Sequence, residues 1–314
     1  MFRRACSRTR RRWRVNAEVV SFVEVVITAA SFGAAYALLA LSINVIYSTS
    51  TVLNFAQGEF MMLGGMLGWV FYSALGLPYW LAVVLIAGSM GLVGLAEYLL
   101  VVRPLLVRRA ADIAIMIATF GAAYVIRTTA ALGMGRVERP AKPPLGQAPF
   151  VIGGVPILPQ SFVVIGITCA VLVLAWWLYS RTTLGLALRA AAFDPDGAQI
   201  VGINVDRLNA VTFAGGGILA GIAGLLISPL SYASPWFGIT FAISGFAAAI
   251  VGGLGSWPGA VAGGLILGLA NALMLRYVSG QWGTFATFIL LLLVLYVRPT
   301  GIFGERIAAK FGTV

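Results

Sequence analysis

RTTLGLALRAAAFDPDGAQIVGINVDR, residues 181–207, is a polar stretch of 27 residues inside an otherwise apolar chain. It carries six charges: Arg181, Arg189, Arg207, Asp194, Asp196 and Asp206. Apolar segments flank it, Ser161–Tyr179 before and Leu208–Ile227 after, each near the ~20 residues a bilayer crossing needs. Within it, Thr183–Phe193 is rich in Ala and Leu and predicts a helix. Pro195 disfavours helix at Asp194, and either Asp194 or Asp196 can cap a new start. About one further turn over Gly197–Val201 then closes at Gly202. Short helices lying along a membrane surface, with apolar side chains free to enter a groove, suit docking on a partner. A solvated connector is the plainer reading of the same composition.

Composition places the rest of the chain in a membrane. Of 314 residues, 60% are hydrophobic and 10% charged, against roughly 25% charged in soluble domains. The length suits one bundle and leaves no room for a separate soluble domain. Cys6 and Cys169 lie in a tail and a span, so no disulfide framework is implied. The chain has no histidine, which removes zinc sites, His-based triads and His proton relays together. Its lysines, Lys142 and Lys310, lie outside any Gly-rich phosphate loop, so ATP is not bound by that route. No cofactor and no metal is expected.

Working outward, apolar runs occur at about Phe22–Tyr47, Val52–Leu75, Tyr79–Val102, Ile113–Leu132, Ser161–Tyr179, Leu208–Ile227, Phe241–Leu254, Ala260–Leu275 and Thr284–Val297. The fold class is an all-α polytopic membrane protein of eight or nine transmembrane helices. The ambiguity lies at Gly255–Gly259, which separates two short runs. Either they are halves of a discontinuous helix beside a transport path, or they form a tight helical hairpin. Nine crossings put Arg103, Arg108, Arg109, Arg181, Arg189, Arg207, Arg298, Arg306 and Lys310 on one side, against Arg136, Arg139, Lys142 and Arg276 on the other. The positive-inside rule then makes 181–207 cytoplasmic. Arg127 falls within a span near its outer end, where it can snorkel.

The seven arginines of residues 1–14 conflict with that orientation, because the tail would lie outside. Either a further N-terminal piece keeps the tail inside, or the natural chain starts near Val15 and the Arg-rich stretch is an over-called start. Without those arginines the net charge falls from +11 to +4. Glu18 and Glu24 interrupt the apolar region and disfavour a signal peptide. Nucleic-acid binding by the tail is not expected in this membrane context. The organisation therefore reads as an Arg-rich tail (1–18), one transmembrane domain (19–304) containing the 181–207 segment, and a C-terminal tail (305–314).

Glycines at four-residue spacing, Gly64 and Gly68, Gly217 and Gly221, Gly259 and Gly263, Gly264 and Gly268, let helix backbones approach closely. The segment VLNFAQGEFMMLGG (52–65) concentrates Asn54, Gln57 and Glu59 at the start of a span. A carboxylate at membrane depth costs several kcal/mol unless paired or hydrated, so Glu59 is a functional candidate. Asn54 can instead cap the following helix, with Glu59 complementing its dipole. Asn44 and Asn271 are further buried amides, which either bond between helices or face a central path. Glu97, with Arg103 and Pro104, reads as an anchor at the inner interface. Gly133–Gln160, rich in Pro and Gly, predicts an outer loop without regular structure.

These residues resemble one family. FGAAYALLALSINVIY (32–47), NFAQGE (54–59), LGLALRAAAFDPDGAQIVGINVDRLNAVTFA (184–214), AIVGGLGSWPGAVAGGLILG (249–268) and RPTGIFG (298–304) look, in this order, like the permeases of branched-chain amino acid ABC importers of the Liv type. The resemblance runs from about Val25 to Gly304. It implies a cytoplasmic coupling helix within about Gly185–Asn204 that inserts into a groove of the ABC ATP-binding subunit. It also implies a second permease subunit, identical or distinct, and an extracytoplasmic solute-binding protein. Two departures bear on the solute: Gln57 stands where the family usually has histidine, and Asn271 where an acid is frequent. Close relatives carry urea and short amides.

The expected function is therefore a permease subunit in the bacterial inner membrane, not itself an enzyme, moving branched-chain or related amino acids with energy from a separate ATPase. Coupling is assigned to Arg189, Asp194, Ala198, Gly202 and Asn204, and the translocation pathway to Asn54, Gln57, Glu59 and Asn271. Two rivals remain. An ion-coupled secondary transporter would take up solute without any ATPase. A membrane-embedded enzyme would need clustered acids, a Ser-Lys pair or metal ligands.

Overall fold

Backbone polar groups inside a bilayer must be satisfied within their own segment, which favours helices over any open arrangement. The computed structural model describes residues 2–152, 155–278 and 282–304, with side chains from Phe22 onward (Ile152 and Val155 excepted). The expected tail at 305–314 lies outside the described residues, and so do Arg306 and Lys310. Twelve helices and one small hairpin follow in order among the described residues. They are α1 (Phe2–Ser50), α2 (Gln57–Gly68), α3 (Tyr79–Glu97), α4 (Arg103–Val107), α5 (Asp112–Met134), β1 (Phe150–Ile152), β2 (Val155–Ile157) and α6 (Pro159–Arg181). Then come α7 (Thr183–Phe193), α8 (Pro195–Ile200), α9 (Val205–Ser231), α10 (Phe237–Gly252), α11 (Trp257–Tyr277) and α12 (Gly283–Val297). π-helical turns continue α2 through Ala74 and join α3 to α4.

Among the described residues, six stretches are long and apolar enough to cross a membrane: Phe22–Ser50, Tyr79–Val107, Asp112–Met134, Pro159–Arg181, Val205–Ser231 and Trp257–Tyr277. The other apolar helices are shorter. At 1.5 Å per residue, the 16 residues of α10 reach about 24 Å, short of a ~30 Å hydrocarbon core. The run expected to be interrupted at Gly255 is a hairpin. Gly252 lies against Gly259, and Gly263 against Ala248, so α10 and α11 fold back on each other. The outer loop is also less irregular than expected, since β1 and β2 pair antiparallel, Phe150 opposite Ile157.

At the centre, α1 and α9 are the most enclosed of the long apolar helices among the described residues and run antiparallel, with Ile46 near Gly216 and Thr49 hydrogen-bonded to Thr212. Each is followed by a break and a second helix. α9 packs on α2 and α3, while α1 packs on α10 and α11. The runs α1–α2–α3 and α9–α10–α11 are thus built alike in opposite senses, the arrangement of an inverted repeat. Close helix contact depends on glycine. Gly64 lies against the Gly221 backbone, and Gly264 and Gly268 lie against Ala37 and Gly33, where a Cβ would overlap the facing chain.

Candidate functional site

Two regions hold most of the residues singled out by sequence. The first is the break between α1 and α2. Its residues Val52, Asn54 and Ala56 are buried although the backbone is not helical, which membrane proteins tolerate only inside protein or beside a cavity. Asn54 does not cap α2. Its Oδ1 accepts the Ala56 N–H at 2.9 Å, closing a turn, and Nδ2 donates to Glu97 Oε2 at 2.6 Å. The N-cap of α2 is Ala56, with no side-chain bond. Glu97 is therefore not an interfacial anchor: it is 5% exposed and holds α3 to the break.

Gln57 and Glu59 continue the pattern from the first turn of α2. Gln57 Oε1 accepts from Ser42 Oγ of α1 at 3.2 Å. Glu59 Oε1 accepts from Arg127 Nε at 3.1 Å, and a second guanidinium nitrogen closes the ion pair. Arg127 of α5 does not snorkel outward; it turns to the bundle interior. Three nearby polar side chains are thus tied to three different helices, α3, α1 and α5. Three atoms in this cluster, Gln57 Nε2, Glu59 Oε2 and Glu97 Oε1, are buried without a hydrogen-bond partner among the described residues. The first turn of α10 abuts this site, since a Cβ on Gly238 would stand 2.7 Å from Glu59 Oε2.

The other two buried amides are elsewhere. Asn271 Nδ2 is 3.3 Å from Tyr36 Oη and 3.4 Å from Thr287 Oγ1, joining α11 to α1 and α12. The structure does not bring it to the cluster at α2. Asn44 spans the α10–α11 turn: Nδ2 donates to the carbonyls of Ser256 (2.9 Å) and Gly253 (3.3 Å), and Oδ1 accepts the Gly255 N–H (3.3 Å).

The second region is the 181–207 segment, which forms α7 and α8. Local capping shapes it. Thr182 Oγ1 accepts from Gly185 N (3.1 Å), Asp194 Oδ1 from Gly197 N (3.0 Å) and Asp196 N (3.1 Å), and Asn204 Oδ1 from Arg207 N (2.9 Å). Gly202 adopts φ +89, a conformation glycine takes at little cost. Ala198 is buried in a small apolar cluster with Leu188, Ala191 and Leu208. Arg189 points back to α6, donating to the Tyr179 carbonyl with its guanidinium carbon 5.3 Å from the Tyr179 ring centroid. Large apolar side chains protrude beside the exposed charged ones: Phe193 is 81% exposed, Ile200 86% and Val201 75%. Sequence reasoning missed these three, although three large apolar residues in a charged stretch were a visible signal. Near the end of the segment, Asp206 at the start of α9 accepts from Tyr98 Oη (2.8 Å) and Arg103 Nε (3.0 Å), tying α9 to the π-helical turn after α3 and to α4.

The chain matches, over residues 25–295, the family described as branched-chain amino acid transport system / permease component. It is 32% identical over 307 residues to the high-affinity branched-chain amino acid transport system permease protein LivH of Escherichia coli (strain K12), covering 93% of this chain and 98% of that protein. The corresponding BraD protein of Pseudomonas aeruginosa is 31% identical over 303 residues, covering 92% and 97%. A probable LivH permease of Methanocaldococcus jannaschii is 33% identical over 288 residues, covering 85% and 88%.

Proposed function

The chain belongs to the family of permease components of branched-chain amino acid transport systems, and we propose that it is the membrane subunit of an ABC importer. It moves branched-chain or related amino acids across the inner membrane, with ATP hydrolysed by a separate subunit docked on α7 and α8. The observation that carries the docking reading is the exposure of Phe193, Ile200 and Val201 on an otherwise polar segment. Large apolar side chains held out on short capped helices fit a groove on a protein partner. Asp194, Gly202 and Asn204 serve the docking by fixing the shape of the segment, and Ala198 by seating α8 on α9.

On this reading Asn54, Gln57 and Glu59 line the path, and the unpartnered atoms of Gln57 and Glu59 are the groups that meet a polar solute. Asn271 serves as a tie between helices. A second permease subunit, identical or distinct, completes the path, and an extracytoplasmic solute-binding protein delivers the amino acid. Nucleotide and loaded receptor bias one two-state equilibrium between openings.

The test replaces Phe193 and Ile200 by Asp in the assembled importer. Capture of the ATP-binding subunit on purification should fall at least tenfold while the permease still inserts in the membrane. Undiminished capture refutes the docking reading. Uptake of radiolabelled leucine that needs ATP and is competed by isoleucine and valine supports the solute. Competition by urea alone would assign the chain to short amides instead.

A further inference from the structure

Arg189 lies on the proposed docking segment, yet its guanidinium faces the protein. The Tyr179 carbonyl it bonds is in the last turn of α6, where carbonyls have no partner within the helix. Thr182 Oγ1 takes the neighbouring Leu178 carbonyl. The docking segment therefore caps the helix that precedes it, with a cation placed where the dipole favours one. Gly185 makes the fold-back possible, because α7 crosses so near the end of α6 that a Cβ there would overlap Tyr179.

The Tyr179 ring carries the contact further. It stacks on Trp257, centroids 4.3 Å apart and planes 24° from parallel. Trp257 is the first residue of α11 and directly follows the turn whose backbone Asn44 grips at three points. A continuous line thus runs from α7 through Arg189, Tyr179 and Trp257 to the α10–α11 turn, and through Asn44 to α1, one of the two central helices. The links are the Arg189 hydrogen bond to the Tyr179 carbonyl, the Tyr179–Trp257 stack, the chain from Trp257 into the turn and the Asn44 hydrogen bonds, so displacement at one end is resisted at the other.

We propose that Arg189 is a positioning residue that transmits displacement of α7 to the start of α11 and to α1, rather than a residue that contacts the ATP-binding subunit. The proposal rests on the docking reading above. It deepens that reading by separating the residues that touch the partner from the one that passes the motion inward. A guanidinium suits this task where an ammonium does not, because its plane stacks on a ring while an N–H reaches the carbonyl.

The experiment uses the complete importer reconstituted in lipid vesicles, with Arg189→Lys, Tyr179→Leu, the double variant and Tyr179→Phe. It reads capture of the ATP-binding subunit, ATP hydrolysis and radiolabelled leucine taken up per ATP. Arg189→Lys and Tyr179→Leu should keep capture within twofold and lose at least tenfold in uptake per ATP. The double variant should be no worse than either single, since both interrupt the same line of contacts. Tyr179→Phe, which keeps the ring, should match the parent. Unchanged uptake per ATP in Arg189→Lys overturns the proposal, and so does loss of capture in that variant with an unchanged melting temperature. If Arg189→Lys melts early, the ratio is read in Tyr179→Leu, and a parental ratio there is equally fatal. Retained capture in the Phe193 and Ile200 variant would defeat the docking reading separately.

Discussion

The Glu59–Arg127 pair allows a test whose sign is set by burial. The Glu59 side chain is 3% exposed and the Arg127 side chain 18%, so neither charge can be rehydrated freely if the other is removed. Breaking such a pair by deleting one partner costs about 3–5 kcal/mol, whereas replacing both by apolar residues is often neutral or stabilising. Arg127→Met leaves a buried carboxylate with both oxygens unpaired and should lose between two and four powers of ten in the folding equilibrium at about 1.4 kcal/mol per power. Glu59→Met should cost less, because the more exposed guanidinium can still reach water or headgroups. The double variant Glu59→Met/Arg127→Met should recover most of the loss, since the flexible thioethers fill the space without a charge. The assay is heat treatment of detergent-solubilised protein followed by size exclusion, in which the Arg127→Met deficit should appear as a fall on the order of 10 °C. If Arg127→Met and the double variant melt together, the pair does not neutralise a buried charge and the reasoning is refuted.

Gly64→Ala should lose most folded protein in the membrane fraction, because its Cβ would overlap the Gly221 backbone, while Gly88→Ala, with nothing within 4 Å, should match the parent in yield. Asn44→Ala strips three backbone groups of the α10–α11 turn of their partner, and melting should fall by the equivalent of about 1–3 kcal/mol. Thr51→Gly should raise the melting temperature, since Thr51 holds φ 55, where a β-branched residue is strained and glycine is not; a fall would mean that α1 continues through the break.

Local chemistry was legible from sequence, while long-range pairing was not. The helix at Thr183–Phe193 and the cap at Asp194, one of the two aspartates offered, follow from interactions two or three residues apart, and the structure places them there; the Asn204 cap of α9 is equally local but was not expected. The glycine spacing likewise marked faces of close packing without saying what they pack on. Glu97 and Arg127 were misread because their partners are 43 and 68 residues away. One signal was present: a lone acid and a lone base at membrane depth are each costly alone, so the two invite pairing. Arg189 and Ala198 were chosen for docking because they are chemically conspicuous or centrally placed. Which side of a short helix faces inward is decided by what it packs on, here the end of α6 and the start of α9. Periodicity within eleven residues is too brief to settle that.

The breaks after α1 and α9 show the same limit most clearly. Thr51 and Tyr232 each take a positive φ, 55° and 59°, directly after the two central helices. Neither is glycine, and the surrounding sequences, STSTVLNFAQ and LSYASPWFGI, share no turn signature at these positions. Residues of this kind adopt such angles at a cost of about 1–3 kcal/mol each, and only where the surroundings over-determine them. After Thr51 those surroundings are explicit: Val52, Asn54 and Ala56 are buried, and Asn54 is held by Glu97 of a different helix. After Tyr232 the next residue pairs by backbone with Arg139 of the outer loop, at 2.9 Å in both directions. The two breaks occupy corresponding places in two oppositely running helix triplets, yet different contacts hold them. Contacts with elements distant in sequence, rather than any local motif, therefore set where the central helices stop, and beyond the two breaks the first turn of α10 lies against Glu59.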